Sequence, residues 1–132
     1  MNQRLERLAR YRTARRRASP ATSIKAFEAL VGDVLDDLPP YIQAHLENVA
    51  VLVDEGSTSR LLGLYEGVNR LARSSGYHLA TPDRITLFWK PILEEARSSD
   101  TAAIREEVRK TIIHEIAHHF GIGDAELERL GG

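Results

Sequence analysis

The 132-residue chain has no cysteine, which excludes disulfide bridges and thiolate metal sites and leaves imidazole and carboxylate as the only strong metal donors. Long apolar runs are also missing. Nothing approaches the roughly 18 consecutive apolar residues that span a bilayer, and the first residues contain no apolar stretch able to act as a secretion signal. These absences predict a cytoplasmic protein without a membrane segment. What remains is ordinary: 42% hydrophobic and 28% charged residues, the balance of a globular domain. A chain of this length buries about two-thirds of its unfolded surface, enough for a core without covalent staples.

The net charge of −1 conceals an uneven distribution, because "RLERLARYRTARRR", residues 4–17, sets seven arginines against Glu6 and carries +6, leaving −7 for the remainder. Such an arm can touch nucleic acid or an anionic surface, and an arginine-rich start also has the composition of an organellar transit peptide. The plainest reading is a solvated helical extension, so neither nucleic acid nor membrane is favoured as a partner. Ser19-Pro20 punctuates the chain. The reading therefore divides it into a basic arm, residues 1–21, and one domain, residues 22–132.

From Thr22 to Leu38 the apolar residues Ile24, Phe27, Leu30, Val31, Val34, Leu35 and Leu38 keep the 3.6-residue period of an amphipathic helix, which Pro39-Pro40 stops. The valine-rich "NVAVLVD" (48–54) predicts a buried strand. "LLGLYE" (61–66) predicts a second, in which Gly63 marks a bulge or a close approach of another backbone. "RITLFWK" (84–90) alternates Ile85, Leu87 and Trp89 with Thr86 and Phe88, the pattern of a third strand. A long helix capped by Asp100 or Thr101 then runs to Phe120, with Gly121 as its left-handed terminator.

On the last turns of that helix stands "HEIAHHFGIGD", residues 114–124. Four residues apart, His114 and His118 project from one face, and their ring nitrogens can converge on one ion. Glu115 lies about 100° around the helix from His114, too far for a natural third ligand but placed to take a proton from a water at the ion. Two imidazoles, an activated water and a carboxylate base are the parts of a zinc hydrolase. A reversal at Gly121 can return Asp124 as third ligand, with the fourth position left to water or substrate. Zinc suits these donors best, although a carboxylate ligand also admits iron or manganese.

Each residue has a plainer reading. The two histidines could be polar residues on an exposed stripe, but Ile112, Ile113, Ile116, Ala117 and Phe120 cover much of the helix circumference, and buried imidazoles need partners. Asp124 also fits the N-cap of a short closing helix over residues 125–130. His119 points away from His114 and reads as a supporting or surface residue. His45 and His78 have no partner visible in sequence.

The pattern H-E-x-x-H-x-x-G-x-x-D, formed by His114, Glu115, His118, Gly121 and Asp124, resembles the zincin metallopeptidases, and most closely the metzincin form whose third ligand is Asp instead of His. More narrowly, "TIIHEIAHHFGIGDAEL" preceded by "RITLFWKPIL" is similar to the minimal zincin-like family of small bacterial proteins. The likeness covers roughly residues 22–130. It implies an α+β fold with a small mixed sheet packed on the active-site helix, one zinc ion and a peptide or protein substrate. It also implies that residues 61–66 form the sheet edge over the cleft. Leu61, Leu62, Gly63, Leu64 and Tyr65 would then bind substrate as an added strand. Strand pattern alone instead pairs 48–54 with 61–66 as a hairpin.

Two departures bear on activity. Metzincins place a methionine turn beneath the metal, but the only methionine here is Met1, and eight residues follow Asp124. The expected site is therefore shallow, with its floor supplied from elsewhere. As oxyanion stabilisers, Tyr65, Tyr77 and His78 are candidates by type and position. Two other functions keep a place beside the peptidase. A metal-dependent endoribonuclease of ribosomal RNA maturation uses ligands at i, i+4 and i+10, the spacing of His114, His118 and Asp124, but without Glu after the first histidine and with His as third ligand. A metal-stabilised interaction module without turnover would account for the missing cleft wall.

Overall fold

In the computed structural model, which describes residues 18–67 and 82–129, Ser23 opens the first helix, α1 (Ile24–Asp37), by accepting a hydrogen bond from the Ala26 backbone N–H at 3.2 Å. The expectations for most of the basic arm, for Tyr77 and His78, and for the last residue of the closing helix fall outside the described residues. Helix α1 buries Phe27, Leu30, Val31 and Val34 on one face. It ends because Leu38 precedes Pro39 and is driven into the extended region, with ψ at 152°.

The proline pair does more than stop α1. Pro40 occupies the first position of a second helix, α2 (Pro40–His45), where its fixed φ suits a helix and its missing N–H has no partner to lose. Gln43 on α2 reaches back and donates to the carbonyls of Leu35 and Asp36 at 3.3 and 2.9 Å, closing the end of α1.

Three strands follow: β1 (Val49–Asp54), β2 (Gly63–Glu66) and β3 (Asp83–Phe88). Their order is β1-β3-β2, with β3 parallel to β1 and antiparallel to β2. The pattern-based hairpin between β1 and β2 does not form; the two strands lie on opposite edges. Only β3 turns two fully buried residues inward, Ile85 and Leu87, and it takes the place with a neighbour on each side. The expectation of a buried β1 is corrected accordingly: its residues are half-buried or exposed, and Leu52 is 46% exposed. Register along β2 runs without a break from Gly63↔Leu87 to Glu66↔Arg84, so Gly63 is not a bulge.

The third strand stops at Phe88, and Trp89 begins helix α3 (Trp89–Ala96) instead of extending the strand. Pro91 hides this helix from a sequence reading, yet it sits in the first turn, where no intrahelical N–H is required. The Trp89 indole N–H donates to the Pro20 carbonyl at 2.8 Å, tying the start of α3 to the chain just before α1.

Asp100 caps α4 (Thr101–Phe120) by accepting from the Ala102 N–H, and Gly121 ends it in the left-handed region at φ 69°. The side chains of Ile104, Val108, Ile112 and Ile116, spaced one turn apart and each fully buried, contribute about 1.5–3 kcal/mol apiece. Helix α4 packs against α1, α2, α3, β2 and β3. The short α5 (Asp124–Arg129) follows, with no buried residue. A small mixed sheet with helices gathered around one long helix makes this an α+β fold. No helix among the described residues is long and apolar enough to cross a membrane.

Candidate active site

Helix α4 carries the site on the side that its core stripe leaves free. Lys110, His114 and His118, one turn apart, are all exposed. The rings of His114 and His118 lie nearly parallel, with centroids 6.4 Å apart and planes 16° from each other. The expectation that burial forces these imidazoles to find partners is corrected, because the core stripe lies on the other side and water can reach both rings. Phe120, counted with the apolar cover of this helix, is 44% exposed.

The adjacent row of α4, Glu107, Thr111 and Glu115, faces the sheet edge. Thr111 is buried, and its hydroxyl donates to the Glu107 carbonyl at 2.8 Å, which satisfies it within the helix. Over this row lies the start of β2. A Cβ on Gly63 would stand 2.9 Å from the Thr111 methyl and 3.4 Å from Glu115 Cγ. The close approach read from Gly63 is thus tightest to a helix side chain, with the backbone carbonyl of Thr86 on the neighbouring strand at 3.4 Å.

Between β2 and α4 runs an open cleft. One stretch of about 420 Å³ touches residues 60–63 on the sheet side and Glu107, Lys110, Thr111, His114 and Glu115 on the helix. A second of about 400 Å³ touches Leu61, Gly63, Leu64 and Tyr65 on the sheet side and His114, Glu115, His118 and His119 on the helix. The two share Leu61, Gly63, His114 and Glu115, so His114 and Glu115 stand at the middle of a path that continues both ways. The five residues expected to bind substrate, Leu61 to Tyr65, all line it. β2 is at the end of the described sheet.

Asp124 is not gathered with the histidines. It is the first residue of α5, is exposed, and makes no hydrogen bond or ion pair among the described residues. It is not the cap of α5 either, because the Gly123 carbonyl accepts the first helical bond, from Leu127 N–H at 3.0 Å. Among the described residues no three His, Asp or Glu side chains are assembled to hold an ion. In kind the donors still suit zinc: two exposed imidazoles one helical turn apart and an uncommitted carboxylate just past a glycine reversal. Two of the three are also together on one face.

The end of α4 adds ring contacts that the sequence did not specify. His119 stacks on Tyr65, centroids 3.8 Å apart and planes at 17°, and so lines the cleft. The Tyr65 hydroxyl donates to Asp83 Oδ2 at 2.8 Å, which directs its proton to the sheet and away from an oxyanion. His45, without a partner in sequence, has its ring 5.0 Å from Tyr41 and 4.4 Å from Phe120. Lys110 was detectable in sequence, one turn before His114 on the same face; no local signal in the sequence places Arg60 or His119 in the cleft.

Compared with known protein families, residues 43–132 match the family described as zincin-like metallopeptidase. No curated protein matches the chain.

Proposed function

The chain belongs to the zincin-like metallopeptidase family, and from that membership we propose that it hydrolyses peptide bonds, with one zinc ion held by His114, His118 and Asp124 and with Glu115 as general base. The observation that carries this reading is the cleft, which passes His114 and Glu115 at its middle and has an edge strand along one wall. A bound zinc supplies Lewis acidity, which makes a water nucleophilic near neutral pH and polarises the scissile carbonyl. The remaining work falls to the chain. An extended peptide adds to the outer side of β2, where the main-chain groups of Gly63 point away from β3, and this holds the scissile bond beside His114. Glu115, half-buried beneath Gly63, takes the proton of the attacking water on a carboxylate oxygen and returns it to the departing amine nitrogen. The exposed faces of His114 and His118 keep the donors accessible, and Gly121, in the left-handed region without a Cβ, leaves the chain free to turn Asp124 toward them when zinc binds.

Glu115→Gln provides the test. The substitution preserves size and leaves the three donors intact, so the variant should retain its zinc while hydrolysis of a mixed fluorogenic peptide set falls by about 100-fold or more. Undiminished hydrolysis would remove Glu115 from the chemistry. RNA cleavage that survives the change, in a parent without peptidase activity, would favour the nuclease reading, and zinc binding without turnover of either substrate would favour the interaction module.

A further inference from the structure

Gly63 is the buried residue at which the edge strand meets the helix, and it is not there for its backbone angles, since the described glycines with positive φ are Gly56 and Gly121. A glycine inside a strand weakens it and packs nothing, so space is the reason for this one. The space is specific. An added Cβ would come within 2.9 Å of the Thr111 methyl, a distance real Cβ contacts do not show, but would stand 3.4 Å from Glu115 Cγ and from the Thr86 carbonyl, where neighbours can adjust. Thr111 cannot easily turn away, because its hydroxyl is held by the Glu107 carbonyl and its side chain is buried.

We propose that Gly63 is a positioning residue, with the Thr111 methyl as the spacer on which it rests, and that this contact sets the separation between the substrate-carrying edge of β2 and the Glu115 carboxylate one turn further along α4. The inference rests on the peptidase reading for its kinetic readout. A side chain at position 63 lifts the strand or displaces Glu115, so the attacking water and the scissile carbonyl lose their common register with the base. Misplacement on this scale costs turnover far more than binding.

The test uses the full chain and three variants: Gly63→Ala, Thr111→Ser, and the two combined. Gly63→Ala should lower kcat by about ten- to hundredfold while zinc affinity, read by chelator competition, stays within about twofold of the parent. Thr111→Ser removes only the methyl and keeps the hydroxyl bond; with the spacer gone it should by itself lower kcat by about two- to threefold. In combination it should restore kcat to within about threefold of the parent, because the one forbidden contact is gone. A combined variant that regains thermal stability without regaining kcat would overturn the proposal and leave Gly63 a packing residue. Undiminished kcat in Gly63→Ala would do the same. If Gly63→Ala does not fold, the combined variant decides: folded and active supports the spacer, unfolded overturns it. A parent that hydrolyses nothing defeats the peptidase reading separately. Crystal structures of the parent and Gly63→Ala then judge the positioning itself, and an unchanged separation between the β2 edge and Glu115 would overturn it.

Discussion

Two stripes run down helix α4, and they differ in almost everything except spacing. One is Ile104, Val108, Ile112 and Ile116, each fully buried; the other is Lys110, His114 and His118, each exposed. The first fixes the helix in place by burying branched apolar side chains against α1, α3 and the sheet. The second has no part in holding the helix and is free to carry chemistry. A site built on the face opposite a dense core inherits rigid spacing from that core without being buried by it, and its residues can be exchanged without loosening the fold.

The separation can be broken from either side, and the largest change is expected on the exposed stripe. His114→Ala removes one of the two proposed imidazole ligands, so the zinc content of protein prepared without added metal should drop from about one ion per chain to a small fraction of that. In the same variant the metal-free protein should keep its stability to within about 0.5 kcal/mol, as exposed substitutions do. Full zinc occupancy after the change would show that the stripe is not the metal site. Next in size, Ile112→Ala should cost about 2–5 kcal/mol in denaturant unfolding while leaving zinc affinity of the folded protein unchanged. Stability unaltered by that change would mean the buried stripe does not hold the helix. Smaller still is the effect expected at Asp124. The carboxylate has no partner among the described residues, so Asp124→Asn should leave metal-free stability within about 0.5 kcal/mol of the parent. Chelator competition should nonetheless show weaker zinc binding, because a neutral amide oxygen replaces an anionic donor. Equal affinity would take Asp124 out of the ligand set.

The parts of this molecule legible in the sequence are those governed by neighbours along the chain. Helices α1 and α4 announce themselves by apolar period, and α4 also by its caps, Asp100 at the start and Gly121 at the end; the Ser23 cap of α1 showed only in the structure. The register of His114, Glu115 and His118 is equally local. Helices α2 and α3 escaped because each carries a proline that reads as a stop, although Pro40 and Pro91 both sit in a first turn where proline is harmless. Sheet order was hidden for another reason. Which strand takes the centre depends on burial against the helices, and the alternation in residues 48–54 and 61–66 is compatible with a hairpin that the fold does not make. The second wall of the cleft is tertiary for the same reason. That Gly63 meets Thr111, or that His119 lies flat on Tyr65, follows from packing elements distant in sequence.

Trp89 is the only tryptophan in the chain, and its indole N–H is bound to the carbonyl of Pro20, ahead of the first helix. Its emission is therefore a native optical reporter on a single seam, the one joining the amino-terminal segment to the end of the central strand. Fraying of that segment would expose the half-buried ring and shift its emission to the red. The protein thus carries its own label for the docking of the segment around Pro20, with no added dye.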